Sequence, residues 1–269
     1  MNNPISEHDP GVENLADLQL ALELADLADA VTLERFRATD LVVETKPDLT
    51  PVSEADRAVE QLLRKRIAEE RPAHAVLGEE FGTGDGPAAT TRWIVDPIDG
   101  TKNYVRGIPV YATLIALERD GALSIGVASA PALGRRWWAA RGAGAFADGV
   151  ALRVSRVTRL EDAQLGHSSV SSWADHGLTE RFLELERRCW RGRGFGDFWT
   201  HMMVAEGACD VAAEPEVSLW DVAAVQVIVE EAGGRFTNLA GLPRADGGSA
   251  VSSNGLLHDE VLGILDAAR

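Results

Sequence analysis

Helical and extended periods alternate along this chain, and the points where apolar runs stop are as informative as the runs. Leu15, Leu18, Leu22, Leu27, Val31 and Phe36 recur near helical spacing and predict one long amphipathic helix over 14–36. A strand-like LVVET follows at 41–45. Ser53 with Asp56 three residues later has the form of a capping box, and Val59, Leu62, Leu63 and Ile67 supply the apolar face of the helix it opens. Two short apolar runs come next, at 75–77 and 93–95. The first stops in Glu79 and Glu80, the second in Asp96 and Asp99. The glycine-rich FGTGDGPAAT between them reads as a surface loop.

Further on, strands are predicted at 111–118, 123–130 and 136–140, with turns at Asp120-Gly121 and around Leu133-Gly134. Strands in succession without helices between them imply an antiparallel or mixed sheet. Glycines and charge at 141–163 mark a boundary between an N-terminal α+β part, 1–145, and a C-terminal α/β part, 146–269. In the second part, strands at 164–168, 210–213 and 250–252 are interspersed with helices at 179–190, 198–207, 219–232 and 257–268, which implies an α/β layer. Ser218 and Asp221 repeat the capping spacing of Ser53 and Asp56. Residues 1–12 are polar and read as a frayed tail.

Charge narrows the partners. Forty-two acidic residues against 26 basic ones leave a net charge of −16, which argues against a nucleic-acid backbone or an anionic membrane. No apolar run reaches membrane-spanning length and no leader pattern opens the chain. The two cysteines, Cys189 and Cys209, form neither a disulfide framework nor a zinc pattern, so a reducing cytoplasm is the simplest setting. A protein this acidic can handle phosphate only by screening it locally, and bound metal does that.

The stretch WIVDPIDGTKNY, 93–104, carries the densest chemistry. Pro97 fixes φ and has no N–H, so the backbone turns, and Asp96, the Ile98 carbonyl and Asp99 can face one point. Converging hard oxygens suit Mg²⁺. Gly100 permits close backbone approach to a ligand, and Thr101 places a hydroxyl where a helix can begin and hold phosphate. Singly, Asp56 and Asp221 are ordinary helix caps, and Glu79 and Glu80 ordinary surface charges. Three separated segments that each end an apolar run in acid make a combination.

LGEE at 77–80, WIVDPIDGTKNY and LWDVAAVQVIVEEAGG at 219–234 resemble the three signatures of the inositol monophosphatase superfamily, Mg²⁺-dependent and lithium-sensitive phosphatases. The resemblance spans roughly residues 15 to 265 and implies a layered αβαβα sandwich and a homodimer. It makes Glu79, Asp96, the Ile98 carbonyl, Asp99 and Asp221 ligands of two or three Mg²⁺ ions. Glu79 and Thr101 are then expected to position the attacking water, with Asp56 bonded to Thr101 or reaching a further metal. Glu80 is not expected to be a ligand. Asp99, Gly100, Thr101, Arg193, Asp197 and Glu214 become the expected substrate contacts.

Where inositol phosphatases of the superfamily carry a small-residue run of the G-[ST]-A-A type, this chain has Gly196, Asp197 and Phe198. Asp197 and Glu214 together suit a cationic leaving group. ETKPDLTPVSEADRAVE, RRWWAARGAGAF and AEPEVSLWD resemble the actinobacterial histidinol-phosphate phosphatases of the superfamily. The expected reaction is hydrolysis of L-histidinol phosphate. A broad inositol or sugar monophosphatase is the alternative among enzymes, and a non-catalytic metal-binding scaffold the alternative of another class. Asp197 could instead cap the helix expected from 198. Trp137 and Trp138 read as core or subunit interface, and His167, His176 and His201 lack metal-ligand spacing and receive no role.

Overall fold

The computed structural model describes residues 10–47, 49–83 and 89–266, with side chains from residue 14 onward. The tail expected at 1–12 lies mostly outside the described residues, as do residues 84–88 of the loop expected after Phe81 and the last residues of the helix expected at 257–268. In chain order the elements begin with α1 (Pro10–Arg35), β1 (Val43–Thr45), β2 (Pro51–Ser53), α2 (Glu54–Glu70), β3 (Ala75–Gly78) and β4 (Gly82–Thr83). The central stretch forms β5 (Thr91–Asp99) and α3 (Thr101–Tyr104), followed by β6 (Ala112–Arg119), β7 (Ala122–Ala130), β8 (Arg135–Ala140), β9 (Gly144–Ala147) and β10 (Val150–Ala151). Then come β11 (Gln164–His167), α4 (Val170–Asp175), α5 (Thr179–Arg188), β12 (Arg191–Gly194), α6 (Asp197–Ala205) and β13 (Val211–Glu214). The chain closes with α7 (Leu219–Glu231), β14 (Arg235–Thr237), β15 (Ala250–Ser253) and α8 (His258–Leu265).

Among the described residues, two large sheets organise these elements. The first has eight strands in the order β10-β9-β8-β7-β6-β5-β3-β4, antiparallel except where β3 runs parallel to β5. The second has five strands, β12-β11-β13-β15-β14, mixing parallel pairs about β11 with antiparallel ones about β15. Side chains alternate across β5 as the strand period requires. Trp93 and Val95 pack under α1 and α2, whereas Ile94 faces α6 and α7 on the other side. The second sheet packs one face on α6 and α7 through Ala212, Phe236 and Ala250. Its other face, Leu165, Val211 and Val251, lies against Trp173, Phe182 and Val261 of α4, α5 and α8. The order of layers is therefore α, β, α, β, α, as expected.

The buried stripe of α1 differs in detail from the expected one. Leu15 is 62% exposed; Leu18, Ala21, Leu24, Ala25 and Ala28 are the buried residues of the contact, and the expected Leu22, Leu27 and Val31 pack beside them, partly buried. Small alanines let the helix lie close to the sheet, and a reading that counts only large residues misses them. β1 covers three of the five residues expected at 41–45; Val42 lies before it, and its carbonyl accepts from Glu54 N–H at 3.0 Å.

The middle helical layer fixes where the site forms. α7 presses directly onto β7, and this is why residue 126 is glycine: a Cβ there would stand 2.4 Å from the Ala224 carbonyl oxygen. The first turn of α7 thus comes to the end of β5. Between the two sheets, α6 and α7 share one apolar cluster with both, running from Ile94 through Phe198 and Val225 to Phe236.

Candidate active site

β5 breaks step with β6 where its charges begin. Asp96 pairs with Leu114 but Asp99 pairs with Ala112, so one extra residue bulges from the strand. Pro97 sits in the bulge, its carbonyl accepting from the Thr113 hydroxyl at 2.8 Å. Ile98 N–H donates to Asp96 Oδ1 at 3.0 Å, and the Thr101 hydroxyl reaches the Ile98 carbonyl at 2.9 Å. Gly100 follows with φ of 81°, a left-handed turn that starts the short α3. The bulge re-aims both aspartates to one side.

Two capping boxes bring further acids. Asp56 lies in the first turn of α2 and accepts from Ser53 N–H at 2.8 Å. Its other oxygen stands 3.3 Å from the Thr101 hydroxyl. Asp221, in the first turn of α7, accepts from Ser218 N–H at 2.8 Å through Oδ2. Asp96, Asp99 and Asp221 each bring a carboxylate oxygen within 4.8 Å of the other two. Glu79 joins from the turn after β3, which is stitched to β5 by Glu79 N–H donating to the Val95 carbonyl at 3.2 Å. Behind that turn the fully buried Glu60 accepts from the N–H groups of Glu80 and Phe81.

These carboxylates pay a visible cost for gathering. Burial pushes Asp96 and Asp99 well above the usual carboxylate range, and neighbouring charges add to it: Glu79 most for Asp96, Asp197 most for Asp99. Burial also raises Asp221 to about 7, helped by Glu79, Glu214 and Asp197, although the Ser218 N–H bond opposes it. Asp56 is raised chiefly by burial. Oxygen donors crowded together and reluctant to ionise are what a hard divalent cation relieves, so the donor set fits such a cation.

A cleft of about 680 Å³ opens over the group. Its far wall is built by the second sheet and α6. Asp197 is the first residue of α6, held at φ of 49°, a strained position for a non-glycine residue. Its Oδ2 accepts from Asn103 Nδ2 at 3.2 Å, and burial with the nearby Glu214 charge lifts its pKa to about 6. Glu214, at the end of β13, accepts from the Ser168 hydroxyl at 3.0 Å and lies 3.2 Å from His201 Nε2. The helix cap is a reversal of expectation. Asp197 does not cap α6; Asp99 Oδ2 accepts from Phe198 N–H at 2.9 Å, so the acid of β5 ties the two walls together.

The structure thus brings Glu79, Asp96, Ile98, Asp99, Gly100, Thr101, Asp197, Glu214 and Asp221 to one cleft, with Asp56 behind Thr101. Arg193 is not among them. It is exposed on β12, donates to its neighbour's carbonyl at 2.6 Å, and borders a separate hollow with Trp190 and Glu186. Trp137 is buried with Nε1 donating to Glu206 at 2.6 Å, while Trp138 stacks on Phe146. Lys46 and His201 line the cleft without having been anticipated. Lys46 bridges Glu79 at 2.8 Å and Glu80 at 2.6 Å; burial works against its charge, but these bonds prevail and push its pKa up. No sequence signal marks Lys46. His201 had one: it stands one helical turn after Asp197.

Residues 14–268 match the model of the inositol monophosphatase family. The chain belongs to that family. Among curated relatives, a histidinol-phosphatase of Mycobacterium tuberculosis is 59% identical over 93% of this chain and 98% of its own length. A histidinol-phosphatase of Streptomyces coelicolor is 56% identical over 94% and 97%. Among solved structures, an IMPase of Thermotoga maritima superposes with a TM-score of 0.83 at 30% identity, covering 93% of this chain and 97% of that one. The inositol monophosphatase family is one of metal-dependent phosphomonoesterases, and this chain is accordingly a phosphatase with an acidic cluster at its centre.

Proposed function

We propose that the protein hydrolyses L-histidinol phosphate to L-histidinol and phosphate, using Mg²⁺ held by Glu79, Asp96, the Ile98 carbonyl, Asp99 and Asp221. The observation that carries the substrate is the second acidic wall. Asp197 and Glu214 line the same cleft as Asp96, Asp99 and Asp221, on the wall built by α6 and β13, and add acid beyond the three clustered aspartates. A neutral polyol needs no such charge there, whereas an amine and an imidazole do. The histidinol-phosphatase names of the relatives at 59% and 56% identity support the same choice.

A phosphate monoester dianion repels its nucleophile and hydrolyses very slowly unless its charge is neutralised. Two or three Mg²⁺ ions, if held by Glu79, Asp96, the Ile98 carbonyl, Asp99 and Asp221, would supply that neutralisation, a more acidic water and stabilisation of the departing alkoxide. The chain's own residues do the rest. Thr101 gives its single hydroxyl proton to the Ile98 carbonyl or to Asp56, which leaves its lone pairs to accept from the attacking water. Glu79 stands on the neighbouring turn to accept a proton from that water. The Gly100 and Thr101 N–H groups, at the start of α3, hold phosphoryl oxygens. Asp197 and Glu214 receive the amine and ring of the leaving group.

A cytoplasmic homodimer sensitive to lithium belongs to the same proposal, supported by family membership. The test is phosphate release with Mg²⁺ from L-histidinol phosphate beside inositol 1-phosphate. Clear preference for the inositol ester sinks the substrate assignment and leaves the phosphatase standing.

A further inference from the structure

His201 is buried in the middle helical layer, 1% exposed, with both ring nitrogens engaged. Nδ1 lies 2.7 Å from the Ser252 hydroxyl on β15, and Nε2 lies 3.2 Å from Glu214 Oε1 on β13. Nε2 faces a carboxylate, which has no proton to give, so Nε2 carries the ring proton and donates. Nδ1, on the other side of the ring, is paired with the fully buried Ser252 hydroxyl. The other oxygen of Glu214 accepts from the Ser168 hydroxyl at 3.0 Å. Two groups thus meet at Glu214, His201 on Oε1 and the Ser168 hydroxyl on Oε2, and Ser252 engages the far side of the His201 ring.

We infer that His201 is a positioning residue for substrate specificity: locked by Ser252, it holds the Glu214 carboxylate in one orientation, as a preformed acceptor for a cationic leaving group. The inference rests on the substrate reading given above. A carboxylate at the end of a flexible side chain loses rotamer freedom when it grips a cation, and the His201 and Ser168 bonds remove that freedom beforehand. The spacing of Asp197 and His201, one turn apart on α6, means that the same helix supplies one acid directly and orients the other.

Steady-state kinetics of His201→Ala, His201→Gln and Ser252→Ala, on L-histidinol phosphate beside glycerol 2-phosphate, test this. The ratio of kcat/KM values for the two esters is expected to fall about 10-fold in His201→Ala, the loss lying in KM rather than kcat. Ser252→Ala, which spares the packing, moves the ratio in the same direction by less, and His201→Gln recovers part of it by restoring an N–H toward Glu214. In a double-mutant cycle, His201→Ala adds nothing to Glu214→Gln. Equal losses on both esters, or independent addition of the two substitutions, overturns the positioning role. If wild type itself shows no preference for the histidinol ester, the substrate reading fails instead. The cycle, run on whichever ester is preferred, still decides whether His201 acts through Glu214.

Discussion

On the large-sheet side of the cleft, Asp96 and Asp99 come from a bulge within one strand, and Glu79 from the turn of its parallel neighbour. On the small-sheet side, Glu214 is held by Ser168 and His201, and His201 by Ser252, from β13, the end of β11, α6 and β15. Both walls are acidic, but one is made by the local course of the backbone and the other by side chains meeting across elements. The first is suited to a cation, whose demand is a fixed set of oxygens. The second is suited to discriminating ligands, since altering one distant partner changes the orientation of the acid and leaves the backbone in place.

The most severe way to break this contrast is Asp99→Asn. Phosphate release is expected to fall on the order of 10³-fold. The metal-free protein should melt at a higher temperature, because a buried charge repelled by Asp197 and Asp221 has been removed. Loss of activity together with a lower metal-free Tm in scanning calorimetry would mean that Asp99 serves chiefly to cap α6. Glu214→Gln should strike the other wall more narrowly, lowering kcat/KM for L-histidinol phosphate roughly 10–100-fold. A comparable fall on glycerol 2-phosphate would show that the wall serves catalysis generally.

A titration sharpens the same contrast. Asp96, Asp99 and Asp221 all have folded pKa values above their ordinary ones, with Asp221 at about 7. At these three sites the folded, metal-free protein therefore holds more protons than the unfolded chain above about pH 4, up to about pH 7 for Asp221, and the stability they contribute is lost as pH rises through that window. A divalent cation held as proposed would bind the ionised form of these carboxylates. The rise in Tm on adding Mg²⁺ should thus be larger at about pH 8 than at about pH 5.5, and a rise independent of pH would place the cation elsewhere. The smallest effect belongs to Ser53→Ala, which removes one member of the α2 capping box and should cost about 1 kcal/mol in denaturant unfolding.

The same contrast governs how far the sequence could be read. Asp96, Pro97, Asp99, Gly100 and Thr101 lie within six positions, and the boxes of Ser53 with Asp56 and Ser218 with Asp221 span three residues each, so their geometry is written in local spacing. His201 and Ser252 are 51 residues apart, and only the packing of α6 on the second sheet joins them. Lys46 reaches Glu79 from a hairpin with no distinctive pattern. β12 and β14 were missed because RGRG and RFT are too short and too polar to show a strand period. Asp197 was weighed as a cap by its position alone, whereas the acceptor for α6 came from Asp99, ninety-nine residues away from Phe198.

The glycine under α7 carries one more implication. Residue 126 touches no ligand in any reading of the cleft, yet the absence of its side chain sets how deeply α7 beds onto β7 and hence how far Asp221 stands from Asp96 and Asp99. A single added methyl would act as a shim, lifting one corner of the cation cage. The spacing of the three aspartates, and with it the fit of the proposed cation, thus depends on the floor of the molecule, at a position that a survey of the cavity alone would pass over.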